Sequence, residues 1–282
     1  MPVVYLNGAF LPVEEAFVSV MDRGFTFGDG VYEMIPVFGH NIFRLSEHLS
    51  RLGDSLAAIA VENPHSRDEW RALMIGLLNR NPTEQCQSIY LQVTRGAGVR
   101  EHIYNGESVP TVFAMCKAVP DRDFSDGVSA VTHEDIRWHY CHIKSTSLLP
   151  GVMLKNHAKQ VDGSFETILI RDGTITEGAA SNVFIVKDKV VKTPGKDGRV
   201  LPGITRDLVI ELMHSAGLPY METTLTELEL RQADEVWITS STMGIVPVVR
   251  LDGEDVGNGR PGDVWKQTTS LYEQFKVNGV EN

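Results

Sequence analysis

Residues 166–177 read ETILIRDGTITE: an apolar, β-branched run, then Asp172-Gly173, then a second short run. An Asp-Gly pair accepts the positive φ of a two-residue turn, so Glu166–Arg171 and Thr174–Glu177 are predicted to pair as a hairpin. Asn182–Val186 and Val190–Thr193 suggest another. Further strands are expected at Glu235–Ser240 and Ile245–Leu251, and helices near Val152–Val161, Thr205–Ala216, Thr226–Ala233 and Asp263–Val277. Strands cluster with interspersed helices but do not alternate as strand–helix–strand units, so an α+β fold is expected over a doubly wound sheet.

The earlier part of the chain has the same mixture. β-like runs lie at Val3–Leu6, Ala16–Val20 and Val31–Phe38, the last turning at Gly39-His40 into Asn41–Arg44. Ser46 is placed to cap a helix carrying Leu49, Leu52, Leu56 and Ile59. Ser66 and Glu69 form a capping-box pattern, because each side chain can satisfy a free N–H near the other. Trp70, Leu73, Met74, Leu77 and Leu78 then make one apolar helical stripe. Ser88–Thr94 and Thr111–Lys117 read as strands. Residues 119–126, polar and rich in turn formers, separate an N-terminal α+β domain (1–118) from a C-terminal one (127–282).

The chain's 282 residues, 42% of them apolar, are enough for two domains. Its 26 basic and 37 acidic residues leave a net charge of −11, which disfavours nucleic acid or an anionic membrane surface as partner. MPVVYLNGAF lacks the pattern of a secretory leader, and no window holds the roughly 20 apolar residues of a membrane span. Cys86, Cys116 and Cys141 are odd in number and far apart. They read as buried thiols of a cytoplasmic protein, not as a disulfide frame or a metal site.

Five stretches can carry chemistry. In CHIKSTSLLPG, Lys144 has no acidic neighbour within several positions, as a nucleophilic amine needs, although a surface lysine would look the same in isolation. In GTITEGAASNVFIV, Glu177 ends a strand before small residues that let a flat ligand approach, where a carboxylate would hold a pyridine nitrogen protonated. LPGITRDLVIELM sets Pro202-Gly203 before a helix whose N-terminus attracts anions, or is simply capped. ITSSTMG places Ser240 and Ser241 among four hydroxyl residues at a strand end, suited to phosphate oxygens or to a solvated turn. Arg100 and His102 alternate with Glu101, so in extended chain they project to one side and can grip a carboxylate.

In family order, DRGFTFGDGVYE, FRLSEHLSRL, YLQVTRG, DIRW with IKSTSLLPGVMLK, TEGAASNVFIV, LPGITRD and the serines at 240–241 resemble the fourth fold type of pyridoxal-phosphate enzymes. The similarity covers most of the chain and is strongest to the D-amino-acid aminotransferases. It implies two α+β domains with pyridoxal 5′-phosphate in the cleft between them, in a homodimer. Lys144 would be the Schiff-base lysine and Glu177 the partner of the pyridine nitrogen. Arg51, Ile204, Thr205, Ser240 and Ser241 would hold the phosphate, with Leu201 packed on the ring. Tyr32, Arg100 and His102 would bind the substrate α-carboxylate. The activity implied is transamination of D-amino acids, D-alanine with 2-oxoglutarate giving pyruvate and D-glutamate. Aminodeoxychorismate lyase and branched-chain aminotransferase activities belong to the same fold. Ala179 and Ala180 stand where serines are common, and Ser241 where threonine is.

Overall fold

The computed structural model describes residues 2–39, 41–83, 86–104, 106, 108–120 and 122–278. The chain forms two compact units. One is Met1–Asp121 with Ile143–Leu148; the other is Arg122–His142 with Leu149–Val280. The return of residues 143–148 to the first unit is announced by no shift in composition.

The first unit contains β1 (Val3–Leu6), β2 (Ala9–Pro12), α1 (Arg23–Phe27), β3 (Gly30–Phe38), β4 (Asn41–Ile42), α2 (Leu45–Ala58), α3 (Arg67–Arg80), β5 (Gln87–Thr94) and β6 (Thr111–Ala118). Its strands form an antiparallel sheet in the order β2-β1-β6-β5-β3-β4. Leu49, Leu52 and Leu56 of α2 and Trp70, Met74 and Leu77 of α3 share a core with Ile35, Ile89 and Leu91 of the sheet. This is the burial that helical spacing of apolar residues selects. Ile143 belongs to the same core, which fixes the segment that follows it.

The capping box of α3 forms as expected: Glu69 N–H donates to Ser66 Oγ at 3.3 Å and Ser66 N–H to Glu69 Oε2 at 2.7 Å. Two expectations fail. Ser46 does not cap α2, because Arg44, at φ 55°, already turns the chain and the helix begins at Leu45. Ala16–Val20 is not a strand; Phe17, Val18 and Val20 are exposed at 81%, 53% and 72%. Apolar content alone does not make a strand without a sheet edge to pair with.

The second unit contains β7 (Val128–Glu134), α4 (Leu149–Gln160), β8 (Glu166–Arg171), β9 (Thr174–Gly178), β10 (Asn182–Lys187), β11 (Val190–Pro194), α5 (Ile204–Ser215), β12 (Tyr220–Thr223), α6 (Glu227–Arg231), β13 (Glu235–Ser240), β14 (Gly244–Leu251), β15 (Glu254–Asp255) and α7 (Asp263–Asn278). Its mixed sheet runs β12-β11-β10-β13-β14-β7-β8-β9, with β15 beside β14. Asp172 and Gly173 take φ of 51° and 72°, and the β8–β9 hairpin closes over them. β7 escapes sequence reading because only Ala130 and Val131 are buried in it. It is held by parallel pairing to β8 and β14. Together β7, α4 and β8 make one strand–helix–strand crossover, and β11, α5 and β12, also parallel, make a second beside the sheet's antiparallel hairpins.

All three cysteines are free; Cys141 is buried and Cys116 half-buried, but Cys86 is exposed, against expectation. Among the described residues no helix is long and apolar enough to cross a membrane.

Candidate active site

In the first unit, residues 143–148 lie along the start of β3. Ser145 bridges Val31, Tyr32 N–H donates to the Lys144 carbonyl at 2.9 Å, and Lys144 N–H donates to Ser55 Oγ at 3.3 Å. Thr146 Oγ1 donates to the Gly28 carbonyl at 2.9 Å. Gly28 closes α1 at φ 66°, and a Cβ there would lie 2.7 Å from Ser147 Oγ, so both backbone and space call for glycine. These contacts set the Lys144 backbone, and its Nζ sits 4.3 Å from the centre of the Tyr32 ring. Lys144 is half-buried, and among the described residues no carboxylate lies within ion-pair distance of it. This is the setting a nucleophilic amine needs, and Tyr32 is beside it.

Behind Tyr32, Glu33 is fully buried. Arg51 donates to it twice, Nε to Oε1 at 2.8 Å and Nη2 to Oε2 at 2.7 Å, and His48 Nδ1 lies 2.7 Å from Oε2. Burial alone would raise the Glu33 pKa, but the Arg51 guanidinium outweighs it and holds the carboxyl well below the usual range. His48 is shifted down by burial despite the carboxylate beside it. With Glu33 ionised, His48 Nδ1 must be the donor, which leaves its buried Nε2 as an acceptor with no partner among the described residues. Sequence reading assigned Arg51 to phosphate and missed Glu33 and His48. The signal was available: His48 and Arg51, three apart on α2, share a helix face.

Arg100 and His102 lie on the exposed loop between β5 and β6, both against Phe27. Among the described residues neither has a hydrogen-bond or ion-pair partner, and no such contact joins them to Tyr32 or Lys144.

In the second unit, Glu177 stands one residue before the end of β9 with its side chain buried. Arg137 Nη1 makes a short contact to Oε1; Asn182 Nδ2 and the Leu201 N–H donate to Oε2 at 3.1 and 3.0 Å. Burial pushes the Glu177 carboxyl up, against the pull of Arg137. A carboxylate whose ionised form burial penalises gains from a protonated ring nitrogen placed against it. Arg137 is itself clamped by Asp135, Nε to Oδ1 at 2.9 Å and Nη2 to Oδ2 at 2.8 Å. Burial would lower its pKa, but the carboxylates raise it. Thr176 Oγ1 and Arg171 complete the shell around Asp135. Neither Asp135 nor Arg137 was assigned a role from sequence, although both stand in the DIRW stretch.

Asn182 joins the remaining candidates. Besides Glu177 it donates to the Leu201 carbonyl at 2.9 Å, and it pairs in register with Thr239. It also abuts Gly203, where a Cβ would fall 1.9 Å from Asn182 Oδ1. Gly203 is the N-cap of α5 and has no side-chain cap. Ile204 and Thr205 in the first turn are buried, and the Thr205 hydroxyl hydrogen-bonds the Tyr272 phenol. Ser240 Oγ and Thr239 Oγ1 are buried with no hydrogen-bond partner among the described residues, and Ser241 is half-buried in the turn that follows. An uncapped helix start with orphan hydroxyls on a neighbouring strand is a donor set for an anion, and Glu177 is an acceptor for a ring nitrogen. These residues fit pyridoxal phosphate. Ser181 is turned away, donating to buried Glu166 at 3.0 Å. Among the described residues no group of His, Cys, Asp or Glu could hold a metal ion.

The family model for class IV amino-transferases matches residues 30–251. The D-alanine aminotransferase of Bacillus licheniformis is 41% identical over 272 residues, covering 96% of this chain and 95% of its own. The branched-chain amino acid aminotransferase of Escherichia coli superposes with a TM-score of 0.91 at 28% identity, over 96% of this chain and 93% of that one. The T.th. branched-chain amino acid aminotransferase, solved with pyridoxamine 5′-phosphate, superposes with a TM-score of 0.87 at 25% identity, over 96% and 93%.

Proposed function

Because the chain belongs to the class IV aminotransferases and is an aminotransferase of that fold, we propose that it moves amino groups between D-amino acids and 2-oxo acids. D-alanine with 2-oxoglutarate, giving pyruvate and D-glutamate, is the leading pair, and pyridoxal 5′-phosphate is the cofactor. Bound to an amine, that cofactor supplies a conjugated, protonated ring that accepts the electron pair left when a substrate Cα loses its proton. Lys144 Nζ holds the cofactor and moves that proton. Glu177, fixed by Arg137, Asn182 and the Leu201 N–H, faces the ring nitrogen, and Leu201 packs on the ring. The α5 N-terminus at Ile204 and Thr205, with Ser240 and Ser241, holds the phosphate.

The observation that carries the substrate assignment is the pairing of Arg100 with His102 on Phe27, neither with a side-chain acceptor among the described residues. A guanidinium fork and an imidazole presented together suit a carboxylate, and Tyr32 beside Lys144 adds a hydroxyl. The residues that grip the α-carboxylate decide handedness, because one amine on one face serves either enantiomer when carboxylate and side chain exchange places. Similarity to the D-alanine aminotransferases supports the D assignment. The exposed Phe17, Val18, Val20 and Phe25 support a homodimer.

The test is the visible spectrum of the cofactor-loaded protein with D-alanine or L-leucine and no 2-oxo acid. The bound-cofactor band is expected to bleach with D-alanine and not with L-leucine, and light scattering on that sample to give the dimer mass. Bleaching with L-leucine alone would move the chain to the branched-chain class. No bleaching with either would refute transamination of these substrates, and a monomer mass the dimer.

A further inference from the structure

The loop from Arg95 to Tyr104 is tied to α1 by an unusual set of contacts. Asp29 accepts from Arg23 Nε at 2.9 Å and from Arg95 Nε and Nη2 at 2.8 and 3.1 Å. The Arg23 N–H donates to the Gly96 carbonyl, and Gly98 N–H to the Met21 carbonyl. Arg23 Nη1 reaches the Glu101 carbonyl at 2.6 Å, pinning the backbone midway between Arg100 and His102. Arg95 lies over the Tyr104 ring at 3.6 Å.

Phe27 stands at the centre of this arrangement. The Arg23 guanidinium is 4.6 Å and that of Arg100 5.3 Å from its ring centre, and the His102 ring centre is 5.5 Å away at 56°. The way Arg100 is held matters. Arg51 and Arg137 are fixed by carboxylates, which occupy their forks. Contact with an aromatic face restrains a guanidinium through the ring quadrupole and leaves its N–H edge unspent.

We propose that Phe27 is a positioning residue for substrate recognition: it is the platform that holds the Arg100 fork and the His102 imidazole together, ready for the α-carboxylate of the amino donor. The inference rests on the reading that this pair binds that carboxylate, and it adds the residue that makes the pair act as one.

The experiment compares D-alanine kinetics of the cofactor-loaded parent with F27L, F27Y, R100A and F27L/R100A. F27L keeps apolar bulk but removes the ring, and its KM is expected to rise roughly tenfold, with most of the change in KM and not in kcat. F27Y restores the face and is expected to stay close to the parent. If Phe27 acts through Arg100, F27L adds much less to R100A than to the parent. An unchanged KM in F27L with a raised KM in R100A overturns the platform and leaves the carboxylate reading standing. Fully additive effects likewise assign Phe27 a merely structural part and overturn it. An unchanged KM in both single variants overturns the carboxylate reading, and the platform with it.

Discussion

A methyl group added at Gly203 should do most of its damage through Asn182. Gly203 has φ −71° and ψ 131°, which alanine adopts freely, so backbone strain does not enter. The new Cβ would lie 1.9 Å from Asn182 Oδ1, more than an ångström inside normal contact. Asn182 cannot yield at no cost: it is buried and tethered to Glu177 at 3.1 Å and to the Leu201 carbonyl at 2.9 Å. Losing a bond to a carboxylate costs about 1.5–3 kcal/mol, and losing a neutral one about 1 kcal/mol. Overpacking adds about 1–3 kcal/mol. G203A is therefore expected to destabilise the protein by about 4 kcal/mol. N182A forfeits the same two bonds without the clash, about 2–4 kcal/mol. In N182A the space is open, so adding G203A should cost only the poorer N-cap, up to about 1 kcal/mol. Urea unfolding of the four proteins checks this, with an expected coupling of at least about 2 kcal/mol. A coupling below about 0.5 kcal/mol, the scatter of independent sites, would refute the idea that Gly203 is glycine because Asn182 needs its space.

Glu33 holds its proton less tightly folded than unfolded, so its ion pair stabilises the protein above the ordinary carboxylate value of 4.5 and is lost as pH falls below it. E33Q should cost about 3–5 kcal/mol at neutral pH, because Arg51 is left buried without its carboxylate. It should also flatten the fall in thermal midpoint below that pH; a variant whose pH profile runs parallel to the parent's contradicts the assignment. Glu177 has the opposite sign: its raised pKa favours the fold at low pH and stops doing so as pH rises through the folded value. R137M, leaving Glu177 buried without a guanidinium and Asp135 with Arg171 alone, is expected to lower stability by about 3–5 kcal/mol, with R137K recovering part of it. A loss under about 1 kcal/mol in chemical denaturation would show that the remaining donors suffice.

Local pattern determined much of this protein before any contact was known. The Asp172-Gly173 turn, the Ser66–Glu69 box, the apolar stripe of α3 and most strand limits follow from interactions between residues a few positions apart. Lys144, Glu177, Arg100 and His102 could be proposed from the sequence as candidates, the first from its lack of acidic neighbours, the second from its place at a strand end before small residues, and the last two from their alternation with Glu101. Tertiary structure alone decided how these groups are held. Glu33 meets Arg51 from another element, Arg137 reaches Glu177 across forty positions, and Asn182 excludes a side chain at Gly203. It also decided that Ala16–Val20 finds no strand to pair with, that β7 sits between two parallel neighbours, and that Phe27 carries Arg100 and His102. Propensity and capping act along the chain, whereas charge pairing, close packing and stacking act between segments that only folding brings together.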